Sequence, residues 1–145
     1  MSESVSDHLA ESLLAFVRTL RARQAALLAP HGLHPGQDAL LMLLWQHPGM
    51  RQVDIALRLG VEAPTITRML RRLERGGLVE RRRDPDDART LRVHPTPRAR
   101  LLEAMVRRSW SDLDGELIHA LGTADAERFR RLAQVATQAL ANEGH

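Results

Sequence analysis

The sequence predicts a mainly α-helical fold with one small β-hairpin. Apolar residues recur at helical spacing through most of the chain. Two short strand-like runs flank a turn rich in Asp and Pro within residues 78–94, which predicts the hairpin. Positive charge is concentrated in residues 51–100, which hold 13 arginines against 7 acids, a net charge of +6. The flanking segments, residues 1–50 and 101–145, have net charges of −1 and −2. A basic block between two slightly acidic arms is the charge pattern expected of a DNA-binding head on a dimerisation frame.

Composition narrows the class of protein. A chain of 145 residues with 43% apolar residues is long enough for one domain with a buried core. The chain has no cysteine, which excludes disulfides and thiolate metal sites. No apolar run approaches the ~18 residues of a transmembrane helix, and the polar N-terminus does not resemble a signal peptide. We therefore expect a cytoplasmic protein with no membrane partner.

Catalytic motifs are not found. The sequence offers no nucleophile with an adjacent base, no paired inward carboxylates and no phosphate-binding glycine loop. We therefore expect a protein that is not an enzyme and that carries no cofactor.

Two helices are predicted in the first third of the chain. Residues 5–28 have apolar positions at helical spacing, and Pro30 and Gly32 end this first helix. Residues 35–47 predict a second helix with Pro35 at its first position. Because this second helix is apolar nearly all round, we expect it to be the most buried one.

A pair of short helices follows. Residues 52–59 predict one helix, with Val53 among its apolar positions and Gly60 at its end. Residues 64–75 predict the next, which starts at Pro64. Its inward face is expected to consist of four apolar residues: Ile66, Met69, Leu70 and Leu73.

The hairpin leads into two long C-terminal helices. In the hairpin we expect Leu91 and Val93 to face the core and Arg92 to face solvent. Thr96 is the predicted N-cap of the next helix, with Pro97 as its first residue. A last helix is predicted over residues 124–141. The first and last helices have surplus apolar surface, which a second copy of the chain would cover; alternatively, these helices close the core of the monomer.

Two short helices, a tight turn between them and a basic hairpin together predict a winged helix-turn-helix. In that arrangement the second helix enters the major groove of DNA. Arg68, about one turn from the helix start, can bond O6 and N7 of a guanine, and Thr65 and Thr67 can contact a thymine methyl group or a phosphate. Arg71 and Arg72 lie further along the helix, toward the DNA backbone or acidic partners. The candidate DNA-binding residues of this helix are Pro64, Thr65, Thr67, Arg68, Arg71 and Arg72.

The hairpin, residues 78–94, is the predicted wing. Its tip carries Arg89, which can enter the narrow minor groove, where negative potential is concentrated. Acids beside Arg89 could hold it in an extended rotamer, and we expect at least Asp87 to be paired. Arg51, before the first helix of the pair, and Arg81, on the first strand, complete the candidate DNA contacts. The alternative interpretation is a solvated arginine face on an ordinary helical bundle.

Taken together, these motifs resemble the MarR family of bacterial transcriptional regulators over nearly the whole chain. The matching segments are LHPGQ at 33–37, DIALRLGV at 54–61, TITRMLRRLE at 65–74, GLV at 77–79, DPDDAR at 84–89 and TP at 96–97.

The resemblance implies a single domain over residues 1–145. Residues 33–96 would form the DNA-binding region, and residues 5–29 and 97–141 the dimerisation helices. The resemblance further implies a homodimer on a palindromic operator in double-stranded DNA, and often release by a small-molecule effector, which favours a repressor. By position, Arg68 resembles the family's base-contacting arginine, Arg89 its minor-groove arginine and Asp87 the supporting acid.

Three positions depart from the family pattern. Arg51 stands where the family commonly has Thr or Ser, and Ala63 replaces a common Ser or Asn at the start of the recognition helix. Ala88 stands where many members have Arg, so the wing tip has one arginine instead of two.

The resemblance also implies an effector cleft where the dimer arm meets the reading domain. The candidate ligand-binding residues are Arg18, His31, His34, Met42 and Trp45. Trp45 could instead be a core residue. His31 and His34 have spacing that could begin a metal site, but acids nearby are few, and we predict no metal ligands. The alternatives to an effector-released repressor are an effector-independent activator or architectural protein, and a metal-responsive regulator.

Overall fold

The computed structural model describes residues 8–143 and is mainly helical with one three-stranded sheet, as predicted. Its helices are α1 (Leu9–Leu28), α2 (Gln37–Gln46), α3 (Gln52–Leu59), α4 (Ala63–Arg75), α5 (Pro97–Leu121) and α6 (Thr123–Glu143), and its strands are β1 (Met50–Arg51), β2 (Val79–Arg83) and β3 (Leu91–Pro95). A short 3₁₀ helix, Ala29–His31, follows α1. The predicted start of the first helix, residues 5–7, lies outside the described residues. The chain divides into two compact units, one ending at Ser109 and the other beginning at Trp110.

The core of the first unit is built around α2, which is the most buried helix, as predicted. Leu40, Leu41 and Leu44 are fully buried, and Trp45 is only 8% exposed. Full burial of a leucine contributes roughly 1.5–3 kcal/mol, so this row is a major source of stability. Trp45 is thus a core side chain.

The start of α2 differs from the prediction. The helix begins at Gln37, and Pro35 lies in the turn that precedes it. Gly36 has a φ of +100°, outside the helical region, so the helix cannot extend back through it. Two side chains cap this turn: Asp38 Oδ1 accepts the Gly36 N–H at 2.9 Å, and Gln37 Oε1 accepts the His34 N–H at 2.9 Å.

The sheet has the order β1-β3-β2, and both pairings are antiparallel. β1 was not predicted, because a strand of two residues shows no alternation. Val93 is buried as predicted, but the inward orientation of Leu91 is wrong, since that side chain is 43% exposed. Leu91 pairs with Arg83 at the end of the ribbon farthest from the paired Val79 and Pro95, beyond the reach of the core. Arg92 is only partly solvated, because it bonds within the sheet region.

The helix pair α3–α4 buries one face of each helix. Ile55 and Ala56 are buried on α3, whereas Val53 is exposed. On α4 the buried residues are Ile66, Leu70 and Leu73, with Met69 partly buried against the core. α4 begins at Ala63, one residue before the predicted start, and its N-cap Glu62 makes no side-chain capping bond.

The helix after the sheet is capped as predicted. Thr96 Oγ1 accepts the N–H of Ala99 at 3.2 Å and donates to the carbonyl oxygen of Gly77 at 2.6 Å. Pro97 is the first residue of α5. The threonine therefore both caps the helix and ties it to the end of the α4 turn.

The second unit contains the end of α5 and the whole of α6. None of the described residues of α6 is buried within the single chain. Large apolar side chains of α6 are exposed: Phe129, Leu132, Val135 and Leu140. None of the helices in residues 8–143 combines the length and apolar character needed to cross a membrane.

Candidate nucleic-acid interface

Four arginines form a stripe along the exposed face of α4. Arg68, Arg71, Arg72 and Arg75 have the i, i+3, i+4, i+7 spacing that places side chains on one helix face. The stripe spans about 10 Å along the helix axis. It lies opposite the buried face of α4, and its side chains border an open groove of about 390 Å³. We call this set the arginine stripe.

The charges of the arginine stripe are not neutralised within the described chain. Among residues 8–143, none of the four guanidinium groups has a hydrogen bond or ion pair. Like charges at i, i+4 on a helix repel each other at a cost of a few tenths of a kcal/mol per pair. An exposed stripe of this kind is suited to bind a polyanion, whose charge would relieve that repulsion.

The residues before the stripe differ in what they can contact. Pro64 is exposed, and Thr65 is partly buried with no hydrogen bond to another described residue. The Thr67 hydroxyl instead donates to the carbonyl oxygen of Ala63 at 2.9 Å and accepts from Gln52 Nε2 at 2.8 Å. A hydroxyl has one proton to donate, so in this arrangement Thr67 cannot also donate to a phosphate. The Thr67 methyl group stays available to DNA, and a phosphate contact of Thr67 remains a prediction that would require its hydroxyl to leave the Ala63 carbonyl.

A second group of residues links α3, α4 and β2 through side-chain bonds. Arg81 Nη1 donates to Gln52 Oε1 at 2.9 Å, and Arg81 Nε pairs with Glu74 Oε1. The Arg81 side chain is 27% exposed. We call Gln52, Thr67, Glu74 and Arg81 the Gln52 network. The Arg81 guanidinium is directed toward protein acceptors, and its role as a DNA contact remains a prediction.

The wing tip is held by Asp87, although not in the way expected. Asp87 Oδ1 accepts the backbone N–H of Arg89 at 3.0 Å, and Oδ2 accepts the Thr90 hydroxyl at 3.0 Å. Asp87 is paired, as predicted, but it fixes the backbone of Arg89 and makes no bond to its side chain. Arg83 Nη1 closes the turn by donating to the carbonyl oxygen of Ala88 at 2.6 Å. The Arg89 guanidinium is left without a partner among residues 8–143.

A partly buried ion pair lies at the turn end of the wing, next to the pairing of Arg83 with Leu91. Asp84, with a side chain 9% exposed, pairs with Arg92 Nε and accepts the N–H of Asp86 at 2.8 Å. The N–H of Asp86 and the Arg92 guanidinium hold the pKa of Asp84 below its usual value. The pair therefore belongs to the architecture of the wing.

Arg51 is placed at the N-cap of α3 and is half exposed. Its Nε and Nη2 donate to the carboxylate of Asp54 at 2.9 and 3.3 Å, and this hydrogen bond raises the pKa of Arg51. It makes no side-chain capping bond. Asp54 therefore offsets the charge of Arg51, whereas the arginine stripe has no such partner within residues 8–143.

The proposed ligand residues do not share one environment. Arg18 is exposed on α1, and His34 is exposed in the loop before α2. His31 is partly buried, and Met42 packs against the core near the buried Trp45. Within residues 8–143 no group of three or more His, Asp or Glu side chains has the arrangement of a metal site.

Sequence reasoning missed the residues that organise the interface. Gln52, Glu74, Asp84 and Arg92 act through partners that are 7 to 43 residues away in the chain. One signal was available. Glu74 is the only acid on a helix with four arginines, which suggests that it has an internal partner.

Residues 33–91 match the MarR family. The chain is 31% identical over 134 residues to the uncharacterized HTH-type transcriptional regulator YwoH of Bacillus subtilis. The alignment covers 92% of this chain and 97% of that protein. It is 32% identical over 101 residues to the HTH-type transcriptional regulator TtmR of Methylorubrum extorquens, covering 70% of this chain and about half, 52%, of that protein.

A solved structure has the same fold. The transcriptional repressor CouR, bound to a 23-mer DNA duplex, matches with a TM-score of 0.78 and 30% identity, over 95% of this chain and 99% of that one. The family match runs from the loop before α2 to the first residue of β3, which includes the arginine stripe and the wing as far as Leu91. The chain belongs to the MarR family of transcriptional regulators.

Proposed function

We propose that this protein is a homodimeric transcriptional repressor that reads a palindromic operator. In this proposal α4 enters the major groove, and the wing, residues 78–94, reaches the adjacent minor groove. The observation that carries the proposal is the unneutralised arginine stripe on the outer face of α4. The DNA-bound repressor CouR, of the same fold, supports it.

The distribution of arginine partners supports a division of roles within the basic block. Five of its 13 arginines have protein partners: Arg51, Arg81, Arg82, Arg83 and Arg92. The other eight have none among residues 8–143, and these include Arg68 and Arg89. A guanidinium without a protein partner keeps its five donors for a base edge or a phosphate. We therefore assign base reading to Arg68 and minor-groove contact to Arg89.

Dimerisation is the second part of the proposal. One helix-turn-helix reads only a few base pairs, whereas two copies about 34 Å apart read both halves of a palindrome. Exposed apolar side chains on α1 and α6 are numerous in the single chain and would be covered by the second copy. Symmetry of the dimer then requires symmetry of the operator.

Release by a small molecule is the third part, and family membership supports it. Arg18, His31 and His34 are the candidates for polar ligand contacts. A thermal-shift screen of the dimer with aromatic acids, drugs and divalent metals tests this part. A compound that raises the Tm and lowers operator affinity supports an effector. A screen with no response supports an effector-independent regulator.

The experiment for DNA reading selects bound fragments from the source genome and measures affinity by fluorescence anisotropy. Arg68→Ala should relax base preference in the major-groove half-site, and Arg89→Ala should weaken binding with little change in that preference. Arg108→Ala removes an exposed arginine outside the basic block and serves as the matched control. If Arg68→Ala and Arg89→Ala select and bind the operator as the control does, the assignment of base reading to Arg68 and of minor-groove contact to Arg89 is wrong.

A further inference from the structure

We propose that Gln52 is a positioning residue for DNA reading. Its side-chain amide joins the recognition helix to the wing, so that Arg68 and Arg89 are presented in one fixed geometry. This inference rests on the proposed function and adds a residue that contacts no base or phosphate itself.

The side-chain amide of Gln52 lies between the recognition helix α4 and the wing strand β2. Gln52 is the first residue of α3, and its Nε2 donates to Thr67 on α4 at 2.8 Å. Its Oε1 accepts from Arg81 on β2 at 2.9 Å. Both distances lie in the range of well-formed hydrogen bonds. Gln52 thus lies outside both elements and bonds to each, beside the direct Glu74–Arg81 pair between α4 and β2.

Each end of this link is fixed in turn. The Thr67 hydroxyl donates a hydrogen bond to the carbonyl oxygen of Ala63, in the first turn of α4. Arg81 is held by Glu74 through a charge-assisted bond, which is stronger than a neutral one. The Gln52 network therefore holds α4 near both of its ends and holds the first strand of the wing.

Fixed geometry matters because the two reading groups are far apart in the chain. Arg68 and Arg89 lie on separate elements, and both must engage the same half-site for the site to be read. Rigid presentation avoids the ordering cost that a loosely held pair would have on binding. Without the hydrogen bonds of Gln52, Arg68 and Arg89 can each still contact DNA. The two arginines are then less well placed to contact the same operator half-site together.

A set of uncharged substitutions tests this role. Gln52→Leu removes both bonds, Thr67→Val removes the hydroxyl while keeping the side-chain shape, and Thr67→Ser keeps the hydroxyl. Affinity is measured for the selected operator and for unrelated DNA of the same length at one salt concentration. Gln46→Leu, which removes an exposed amide without a described hydrogen bond, is the control. Circular dichroism at 15 °C checks that each variant is folded.

We expect Gln52→Leu and Thr67→Val each to weaken operator binding about threefold to tenfold, the range of one or two hydrogen bonds. Thr67→Ser should restore nearly full affinity. The double variant should be no weaker than the weaker single variant, because both changes break the same link. Affinity for unrelated DNA should stay unchanged, because no charge is altered.

Several results would overturn the inference. If the losses of Gln52→Leu and Thr67→Val multiply in the double variant, Thr67 contacts DNA itself. Equal losses on operator and unrelated DNA would mean that the substitutions only reduce the folded fraction. If Gln52→Leu does not fold, the comparison of operator affinity between Thr67→Val and Thr67→Ser decides the question by itself. A wild-type protein that binds no operator contradicts the proposed function, which is a different outcome from operator binding that is insensitive to Gln52.

Discussion

Arg92 Nη1 donates a hydrogen bond of 3.0 Å to the carbonyl oxygen of Gly49, a residue 43 positions earlier in the chain. The Gly49 N–H in turn donates to the carbonyl oxygen of Val93 at 2.9 Å. These two bonds fasten the loop before β1 to the central strand of the sheet. The loop continues through β1 into α3, so the wing and the helix-turn-helix share this support.

Gly49 should be costly to replace. Its φ of +81° disfavours any residue with a Cβ by about 1–2 kcal/mol, and an added Cβ would lie 3.0 Å from Cε1 of His94. Gly49→Ala should therefore lower the free energy of unfolding in urea by more than that strain alone. Gly32→Ala is the matched control, since Gly32 also has a positive φ but an added Cβ would meet nothing within 4 Å. Equal losses in the two variants would show that the His94 contact has no cost.

The Asp84–Arg92 pair should make the protein sensitive to acid. The folded state lowers the pKa of Asp84, so its contribution to stability is present above the ordinary value of 3.8 and is lost as pH falls through the lower folded pKa. Asp84→Asn should thus be less stable than the wild type at pH 7. The difference should shrink as the pH falls below 3.8 and the aspartate becomes protonated. A difference that is constant across this range in urea melts contradicts the assignment.

The lowered pKa of His94 should make the protein less stable as the pH falls from neutral to mildly acidic. Burial lowers its pKa below the ordinary 6.5, aided by Arg82 and Arg92, while Glu80 opposes them. Below pH 6.5 the unfolded chain binds a proton before the folded one, so the free energy of unfolding falls as the pH decreases. His94→Gln should show a smaller decrease between pH 7.5 and 5.5 in urea melts. The wild type and His94→Gln share the other histidines. An equal decrease in the free energy of unfolding in both would therefore assign the effect to those histidines.

One arginine of the stripe should change stability and affinity in opposite directions. Arg71→Gln removes like-charge repulsion with Arg68 and Arg75, which should raise the free energy of unfolding by roughly 0.2–0.5 kcal/mol. It should weaken DNA binding and reduce the slope of log K against log salt by about one, if Arg71 contacts a phosphate. Thermal melts and anisotropy titrations at four salt concentrations measure the two effects. A loss of both stability and affinity would mean that Arg71 supports the fold.

The apolar face of α6 should be required for dimerisation. Leu132 is 56% exposed in the single chain, and Leu132→Glu places a charge in the surface that a second copy would cover. We expect the variant to be monomeric by light scattering after size-exclusion chromatography, and to bind the operator far more weakly. Gln134→Glu adds the same charge to an exposed residue of α6 two positions from Leu132, nearly opposite it at about 100° per residue, and should remain dimeric. A dimeric Leu132→Glu would move the interface elsewhere.

Local rules predicted most of the helices. The positions of Gly60 and of the Thr96–Pro97 cap follow from backbone preferences within a few residues, and both were found as predicted. Local rules failed at Pro35 because Gln37 and Asp38 cap the turn from inside the helix, and at Leu91 because strand alternation does not reveal how far the core extends.

By itself, the sequence determined the fold class, the family and the arginine-rich helix, because hydrophobic period, caps and local charge act over one or two helical turns. Only the tertiary structure decided which arginines have protein partners. The sequence predicts that Arg81 contacts DNA and that Arg92 faces solvent. In the structure each of them bonds residues of other elements. Arg68 and Arg89 differ from them only in lacking such a partner within residues 8–143. That difference depends on the distances between side chains that are far apart in the chain. Local sequence patterns do not predict these distances.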